Sequence, residues 1–179
     1  MNEINLKDKR FEISISETEI AAIAYSVANA INNSGIKNPL CIAVMNGAFL
    51  FAADLMRKIT IPNTEISFIK LSSYEGVEST GKVSELIGIE GNISGRNIVV
   101  LEDIVDTGIT LDKIITLLKK ENVADIKIAT LLFKPDAYTK DIHIDFIGKS
   151  IPNDFVVGYG LDYDEVGRNL PHIYKLKNE

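Results

Sequence analysis

The stretch VVLEDIVDTGITL at residues 99–111 joins an apolar segment to the start of an amphipathic one. A strand is predicted over Asn97–Ile104, because an apolar run of this kind is typical of strands buried on both faces of a parallel sheet. A helix is predicted over Thr110–Leu118, where one helical face carries Leu111, Ile114, Ile115 and Leu118. The stretch therefore predicts a buried strand, a tight turn and a helix in direct succession.

Segments on both sides of this stretch repeat the order of strand and helix. A capping box at Ser16–Glu19 precedes a helical pattern that stops at Asn32–Gly35. Further strands are predicted over Pro39–Val44, Glu65–Leu71, Glu85–Ile89 and Ile126–Phe133, and a further helix over Ala48–Ile59. This alternation predicts right-handed crossovers and an α/β fold, with a mostly parallel central sheet flanked by helices.

The length and the composition fit one folded domain. A chain of 179 residues, 46% of them hydrophobic, buries one substantial core. After Asp145 the sequence has only short strand-like and turn-like segments, which predict a small cap over the sheet. We therefore expect a single domain over residues 1–179, with a core of about residues 17–134 and a hood of about residues 1–15 and 135–179.

The net charge and the cysteine count limit which binding partners and which cellular compartment we expect for this chain. A net charge of −6 lacks the basic footprint of a nucleic-acid-binding protein, so nucleic acid is not expected as a main partner. Cys41 is the single cysteine, which excludes an intramolecular disulfide and favours a reduced cytoplasm. The sequence shows neither a secretion signal nor an apolar run long enough for a membrane span, so we expect a cytoplasmic protein without a membrane partner.

The turn inside residues 99–111 has the composition of a site for a phosphorylated sugar. Open α/β sheets bind ligands at the carboxyl ends of their strands. Backbone N–H groups of Thr107–Thr110 would form a phosphate cradle at a helix N-terminus, and Gly108 would permit close approach. Adjacent Glu102 and Asp103 can accept hydrogen bonds from two neighbouring ribose hydroxyls. The alternative, in which these acids merely face solvent, leaves the combination of acidic pair, Gly-Thr turn and apolar helix unexplained.

Residues 99–111 resemble the motif with which type I phosphoribosyltransferases bind phosphoribosyl pyrophosphate (PRPP), and the order Glu-Asp then Asp-Thr-Gly is close to the hypoxanthine-guanine branch. Other segments agree with that branch. Ser73-Tyr74 opens a long polar loop that resembles the mobile active-site loop, and Lys134 resembles the base-binding lysine. Residues 155–163 resemble the purine-stacking segment. The matches extend from about Asn46 to His172 and so cover most of the chain.

The resemblance implies a purine salvage enzyme with a type I phosphoribosyltransferase fold. Such an enzyme transfers the 5-phosphoribosyl group of PRPP to hypoxanthine, with guanine as a second expected base, and yields IMP or GMP and pyrophosphate. It uses Mg²⁺ as its cofactor and forms a homodimer or a homotetramer. A xanthine-preferring or other PRPP-using transferase remains an alternative. So does a regulatory protein that senses PRPP or a nucleotide and binds RNA or DNA, although the acidic chain disfavours it.

The resemblance also implies a role for individual residues. Asp106 would accept a proton near purine N7, while Glu102 and Asp103 would bind the ribose hydroxyls and, with Asp162, Mg²⁺. The 5-phosphate and ribose site would comprise Glu102, Asp103, Asp106, Thr107, Gly108, Ile109 and Thr110; the pyrophosphate site Met45, Asn46, Gly47 and Arg168; the purine site Lys134, Phe155, Val156 and Asp162; and the mobile loop Ser73 and Tyr74.

Lys134 bears on the choice of base, and Asn46 bears on the contacts with pyrophosphate. Lys134 would donate to the exocyclic O6 of the base, and because Lys is only a donor it favours a 6-oxo acceptor over the 6-amino group of adenine. By position alone Lys134 could also be a surface lysine, and Phe155 an ordinary core residue. The family often has Lys or Arg at the position of Asn46, so pyrophosphate contacts here would depend more on backbone N–H groups, Mg²⁺ and Arg168.

Overall fold

Two sheets and the helices between their strands make up the computed structural model, which describes residues 3–71, 85–87 and 91–177. The strands are β1 Glu3–Leu6, β2 Lys9–Ile15, β3 Leu40–Val44, β4 Glu65–Leu71, β5 Glu85–Ile87, β6 Asn97–Val105, β7 Asp125–Phe133, β8 Phe146–Ser150, β9 Val156–Val157 and β10 Ile173–Leu176. The helices are α1 Glu17–Asn32, α2 Phe49–Met56 and α3 Ile109–Lys120. Ser73 and Tyr74, predicted to open the mobile loop, lie outside the described residues.

The main sheet has the strand order β5-β4-β3-β6-β7-β8. Strands β4, β3, β6, β7 and β8 run parallel, and β5 pairs antiparallel with β4 at one edge. Strand β6 lies inside this sheet, with Leu101 opposite Ala43 on one side and Ala129 on the other. The predicted α/β fold with a mostly parallel central sheet is confirmed.

The apolar run of β6 serves both faces of the sheet. Val99 and Leu101 pack in a core cluster with residues of α1 and α2. Ile98 and Val100 pack in a second cluster with residues of α3. All four side chains are fully buried, as expected for a parallel strand covered by helices on both sides. Because every side chain of the run is buried, the carboxyl end of β6 is held firmly where its acids begin.

Helix α1 starts as the capping box predicts. The N-cap is Ser16, whose Oγ accepts a hydrogen bond from the N–H of Glu19 at 3.2 Å. Its buried face comprises Ile20, Ala24, Val27, Ala28 and Ile31. None of the helices in the described part of the chain has the length and the apolar character needed to cross a membrane.

The hood is a second sheet built from both ends of the described chain. Its strand order is β1-β2-β10-β9, and β10 pairs antiparallel with both β2 and β9. Phe11, Val157 and Tyr174 form its buried centre.

The structure corrects the expected extent of the hood after residue 134. Strand β8 lies within the stretch that we assigned to the hood, yet it extends the main sheet, with Phe146 opposite Ala129 of β7. Its residues are half-buried or exposed, so the strand lacks the apolar run that would have marked it as part of the parallel sheet. One face of β8 packs on α1, where Gly148 lies against Ile23.

Candidate active site

The turn between β6 and α3 forms a cradle for an anion. Gly108 is the N-cap of α3 and has a φ of 82°, a left-handed conformation that glycine adopts at little cost. Gly108 has no side chain to cap the helix, and the only side-chain contact to the N–H groups of the first turn in the described residues is a long one of 3.5 Å from Ile109 N–H to Thr107 Oγ1, so these N–H groups are available to an anion. Glu102 and residues 104–111 line a concavity of about 90 Å³ at this position. The predicted phosphate residues Thr107, Gly108, Ile109 and Thr110 are therefore brought together.

The segment after β7 supports the cradle from one side. Both the N–H and the Oγ1–H of Thr139 donate to the carbonyl oxygen of Thr107, at 3.3 and 3.1 Å. A Cβ atom added to Gly108 would lie 2.5 Å from the ring of Tyr138. Lys140 pairs with Asp112 of α3 at 2.8 Å. Glycine is thus required at position 108 by the backbone conformation and by the close approach of Tyr138.

Two adjacent acids lie at the carboxyl end of β6. Glu102 is only 5% exposed, and burial raises its pKa well above the ordinary value, with a further rise from Asp103. Burial also raises the pKa of Asp103 to about 6; Arg168 opposes this rise, and Asp162 adds to it. Charge on this pair is costly in the free protein, so a ligand that donates hydrogen bonds or brings positive charge is favoured here.

Asp106 and Lys134 form an ion pair beside the cradle. The Lys134 Nζ lies 2.9 Å from Asp106 Oδ2. Lys134 follows β7, Asp106 follows β6, and the N–H of Lys134 donates to the carbonyl oxygen of Val105 at 3.0 Å, which fixes the two strand ends together. Lys134 is 7% exposed, so it is not a surface lysine. The pair places a pure donor and a carboxylate acceptor at one edge of the sheet.

Phe155 offers a partly exposed aromatic face next to the hood. Its ring is 45% exposed and contacts Phe11 at 6.3 Å and Tyr163 at 5.9 Å between centroids, the latter nearly edge-on. Val156 is buried in β9, where its backbone pairs with Lys175 of β10. An aromatic ring held in this way is suited to stack on a flat ligand. A buried core residue would have no free face for such stacking, so the exposure of Phe155 argues against the alternative that it is an ordinary core residue.

The turn after β3 contains three of the predicted pyrophosphate residues, Met45, Asn46 and Gly47. Gly47 packs so closely against Asp103 that an added Cβ atom would lie 1.7 Å from Asp103 Oδ2. The preceding Met45–Asn46 peptide bond is cis, and the N–H of Met45 donates to the carbonyl oxygen of Ile69 at 2.8 Å. The turn therefore lies directly beside the acids of β6.

Arg168 and Asp162 are brought together on the other side of the same turn. Arg168 Nη2 lies 2.8 Å from Asp162 Oδ1, and its Nη1 donates to the carbonyl oxygen of Gly160 at 2.9 Å. Asp162 Oδ2 accepts from the N–H of Glu165 at 2.8 Å. Both side chains are thus held in place by contacts within residues 160–168 before any ligand binds.

The acids form no complete metal cage by themselves. In the ranges that the structure describes, no group of three or more His, Cys, Asp or Glu side chains is arranged to hold a metal ion. The carboxylates of Glu102, Asp103 and Asp162 nonetheless supply the hard oxygen ligands that Mg²⁺ prefers. Mg²⁺ is usually held by one or two carboxylates together with substrate phosphates, and this donor set fits that mode of binding.

Sequence reasoning missed the residues that support the site from behind. Tyr163 and Phe11 buttress Phe155, and Gly160 lies against the Gly47 carbonyl oxygen. A signal for the second contact was present in the spacing Gly158-Tyr159-Gly160, which was included in the purine-stacking segment at residues 155–163 without being assigned a contact.

The fold and the site together define an α/β protein with an anion cradle at the carboxyl edge of a parallel sheet and with a partly exposed aromatic ring next to its hood. A family model for the phosphoribosyl transferase domain matches residues 12–164. The chain belongs to the phosphoribosyl transferase family.

Individual relatives agree with this membership. The chain is 41% identical to a hypoxanthine-guanine phosphoribosyltransferase of Staphylococcus epidermidis, over 93% of this chain and 94% of the relative. A crystal structure of a hypoxanthine phosphoribosyltransferase from Staphylococcus aureus is similar with a TM-score of 0.84 and 37% identity, covering 93% of this chain and 91% of that one. A crystal structure of a hypoxanthine-guanine phosphoribosyltransferase from Bacillus anthracis, with a HEPES molecule in its active site, is also similar. Its TM-score is 0.83 and its sequence identity 38%, and the match covers 93% of this chain and 97% of that one. The resemblance found in the sequence is confirmed.

Proposed function

We propose that this protein is a purine salvage enzyme that transfers the 5-phosphoribosyl group of PRPP to hypoxanthine, and also to guanine, with release of pyrophosphate. The observation that carries the proposal is the Lys134–Asp106 pair at 2.9 Å, which lies beside the phosphate cradle. The products are IMP and GMP. Relatives that share most of the chain are named for this activity.

In the proposed reaction each part of the site acts on one part of the substrates. The cradle at residues 107–110 holds the 5-phosphate, and Glu102 and Asp103 accept hydrogen bonds from the ribose hydroxyls. The base attacks the anomeric carbon of the ribose, and the bond from that carbon to the pyrophosphate oxygen breaks. Asp106 accepts the proton that the base loses near N7. Positive charge that develops on the ribose is favoured next to these carboxylates.

Mg²⁺ is part of this proposal. When bound, it would neutralise the oxygens of the leaving pyrophosphate, and Glu102, Asp103 and Asp162 are the residues that would hold it, partly through water. Arg168 and the backbone of the Met45-Asn46-Gly47 turn would contact the same pyrophosphate from the protein side. Because Asn46 carries no charge, the backbone and Arg168 carry this contact.

The test of the proposed function is turnover of single bases. Absorbance changes are followed with PRPP and Mg²⁺ and with hypoxanthine, guanine, xanthine or adenine alone. Conversion of hypoxanthine and guanine, weak use of adenine and loss of turnover in EDTA support the proposal. Preference for xanthine would assign the chain to another PRPP-using transferase. A folded protein that binds PRPP but converts no base would instead favour a regulatory role.

Replacing Lys134 with Gln is expected to weaken the discrimination against adenine. The Gln amide both donates and accepts, whereas the Lys ammonium only donates, so the penalty on a 6-amino group is relieved. The ratio of kcat/KM for hypoxanthine to that for adenine should fall by about 10-fold or more. Lys113→Gln, on the exposed side of α3, is the matched control. An unchanged ratio in the Lys134 variant would remove this residue from base recognition.

Replacing Gly108 with Ala is expected to reduce PRPP affinity. The new Cβ would clash with the ring of Tyr138 and displace the cradle, in addition to a cost of about 1–2 kcal/mol for the left-handed backbone. Gly35→Ala is a matched control, because Gly35 has a φ of 78° and open space around it. In thermal unfolding the Gly35 variant should lose only the backbone cost and the Gly108 variant more, and only the Gly108 variant should bind PRPP more weakly in calorimetry. Equal PRPP affinity in the two variants would contradict the assignment of the cradle.

The assembly and the compartment are also part of the proposal. The resemblance to the hypoxanthine-guanine branch implies a homodimer or a homotetramer in the cytoplasm. Light scattering after size exclusion measures the mass directly, and a monomer of 19.7 kDa would contradict the expectation.

A further inference from the structure

The turn Gly158-Tyr159-Gly160 has a left-handed backbone at all three residues, with φ of 100°, 49° and 101°. A Cβ atom on Gly158 would lie 2.0 Å from the carbonyl oxygen of His172, and one on Gly160 would lie 2.0 Å from the carbonyl oxygen of Gly47. Tyrosine rarely adopts such a conformation, which persists only where the surroundings enforce it. The turn is therefore wedged between the end of the hood and the predicted pyrophosphate turn.

The same turn holds Arg168 in position. The N–H of Gly160 donates to the carbonyl oxygen of Arg168 at 2.9 Å. In return, the Arg168 guanidinium donates to the carbonyl oxygen of Gly160 at 2.9 Å and pairs with Asp162 at 2.8 Å. Any displacement of Gly160 would move the guanidinium and the Gly47 contact together.

Tyr159 is the side chain that anchors this turn to the main domain. It is 8% exposed, and its hydroxyl donates to Asp54 Oδ2 of α2 at 2.5 Å. Burial and the bond to Asp54 raise the pKa of Tyr159, so the phenol keeps its proton at neutral pH. Arg57, one turn further along α2, pairs with the other oxygen of Asp54 at 2.9 Å.

Helix α2 is the element that follows the pyrophosphate turn. It begins at Phe49, two residues after Gly47, and Ala48 is fully buried at its N-cap. The segment with Gly160 is therefore joined to the segment with Gly47 in two ways: by their direct contact, and by the hydrogen bond from Tyr159 to Asp54 of α2. Phe155 is held differently, through Phe11 and Tyr163 of the hood.

We propose that Tyr159 and Asp54 are positioning residues for the pyrophosphate half of PRPP: their hydrogen bond fixes residues 158–160 against Gly47 and so orients Arg168. This inference rests on the proposed function, because it assigns Arg168 and Gly47 to pyrophosphate. It predicts that loss of the bond weakens PRPP binding and leaves the binding of the purine base nearly unchanged.

The test is a double-mutant cycle on Tyr159→Phe and Asp54→Ala, with the Tyr25→Phe variant as control because Tyr25 is 63% exposed. Each single variant should raise the KM and the calorimetric Kd of PRPP with Mg²⁺ by about 10-fold, the effect of one strong buried hydrogen bond. The KM of hypoxanthine should change less than about twofold, and the double variant should match Asp54→Ala. Asp54→Asn, which keeps an acceptor for the phenol, should restore most of the affinity.

Three results would overturn the inference. Unchanged PRPP affinity in Tyr159→Phe is the first, and additive effects in the double variant are the second. Equal rises in the KM of PRPP and of hypoxanthine, with a lower melting temperature, would show a general structural role. Calorimetry with PRPP does not need turnover, so the inference is tested even if the wild-type protein converts no base, an outcome that would count against the proposed function alone.

Discussion

Replacing Asp106 with Asn should lower kcat for hypoxanthine by roughly 100-fold or more, while the KM of PRPP changes little. The amide has nearly the same shape as the carboxylate, and its oxygen can still accept the hydrogen bond that Lys134 donates at 2.9 Å. It cannot take a proton from the base, so only the step that needs a proton acceptor is lost. Steady-state kinetics with each substrate varied separately measures both effects.

The control for this prediction is Asp141→Asn, which makes the same change at an exposed position. It should retain wild-type kcat. If the Asp106 variant is folded and keeps more than about a tenth of wild-type kcat, proton acceptance by this residue contributes less than general-base catalysis usually does, and the assignment fails.

Replacing Gly47 with Ala should reduce kcat/KM for PRPP by about 100-fold or more. The added Cβ would lie 1.7 Å from Asp103 Oδ2 and within 3.0 Å of all three carboxyl atoms, a contact that no real Cβ makes. Either the turn or the Asp103 carboxylate must shift, and a shift of about 1 Å at a substrate-positioning group costs about this much in rate. Both groups are assigned to PRPP, so binding of the purine base should be affected less.

A substitution at a second glycine is the control that distinguishes a loss of activity from a loss of folding stability. Gly148→Ala, in β8, places a Cβ 2.5 Å from the carbonyl oxygen of Leu131 in β7, on the side of the sheet that packs on α1. It should lower the melting temperature and leave kcat/KM per folded molecule nearly unchanged. A Gly47→Ala variant with unaltered PRPP kinetics would show that the Asp103 contact is not part of the substrate site.

The succession of strands and helices that forms the main sheet could be predicted because its signal is local. The buried run of β6 and the helical spacing of Leu111 and Ile114 each lie within a few residues of one another. The cradle at residues 107–110 and the acids before it follow from the same stretch. Their chemistry depends on residues adjacent in the chain, so it could be inferred without knowing the rest of the fold.

The hood and the supports of the site could not be predicted in the same way. Strands β2 and β10 pair although they lie near opposite ends of the sequence, for example Phe11 with Leu176. Short strands give no sequence signal of which strand they pair with. Strand β8 lacked the apolar run of a parallel strand. The contact of Gly160 with Gly47 and the bond from Tyr159 to Asp54 join residues more than a hundred positions apart. The assignment of Ser73 and Tyr74 to a mobile active-site loop remains a prediction.

The pairing of β2 with β10 has a consequence for the order in which the two halves of the site become usable during synthesis. The parallel strands and the cradle lie earlier in the chain and can fold while the ribosome is still adding residues. Strand β9, next to Phe155, pairs with β10, and β10 in turn pairs with β2, so this aromatic platform waits for Ile173–Leu176 to emerge. If the proposed site is right, a nascent chain therefore forms the part that would bind the sugar phosphate before the part that would bind the base, and the last strand to be made completes the second part.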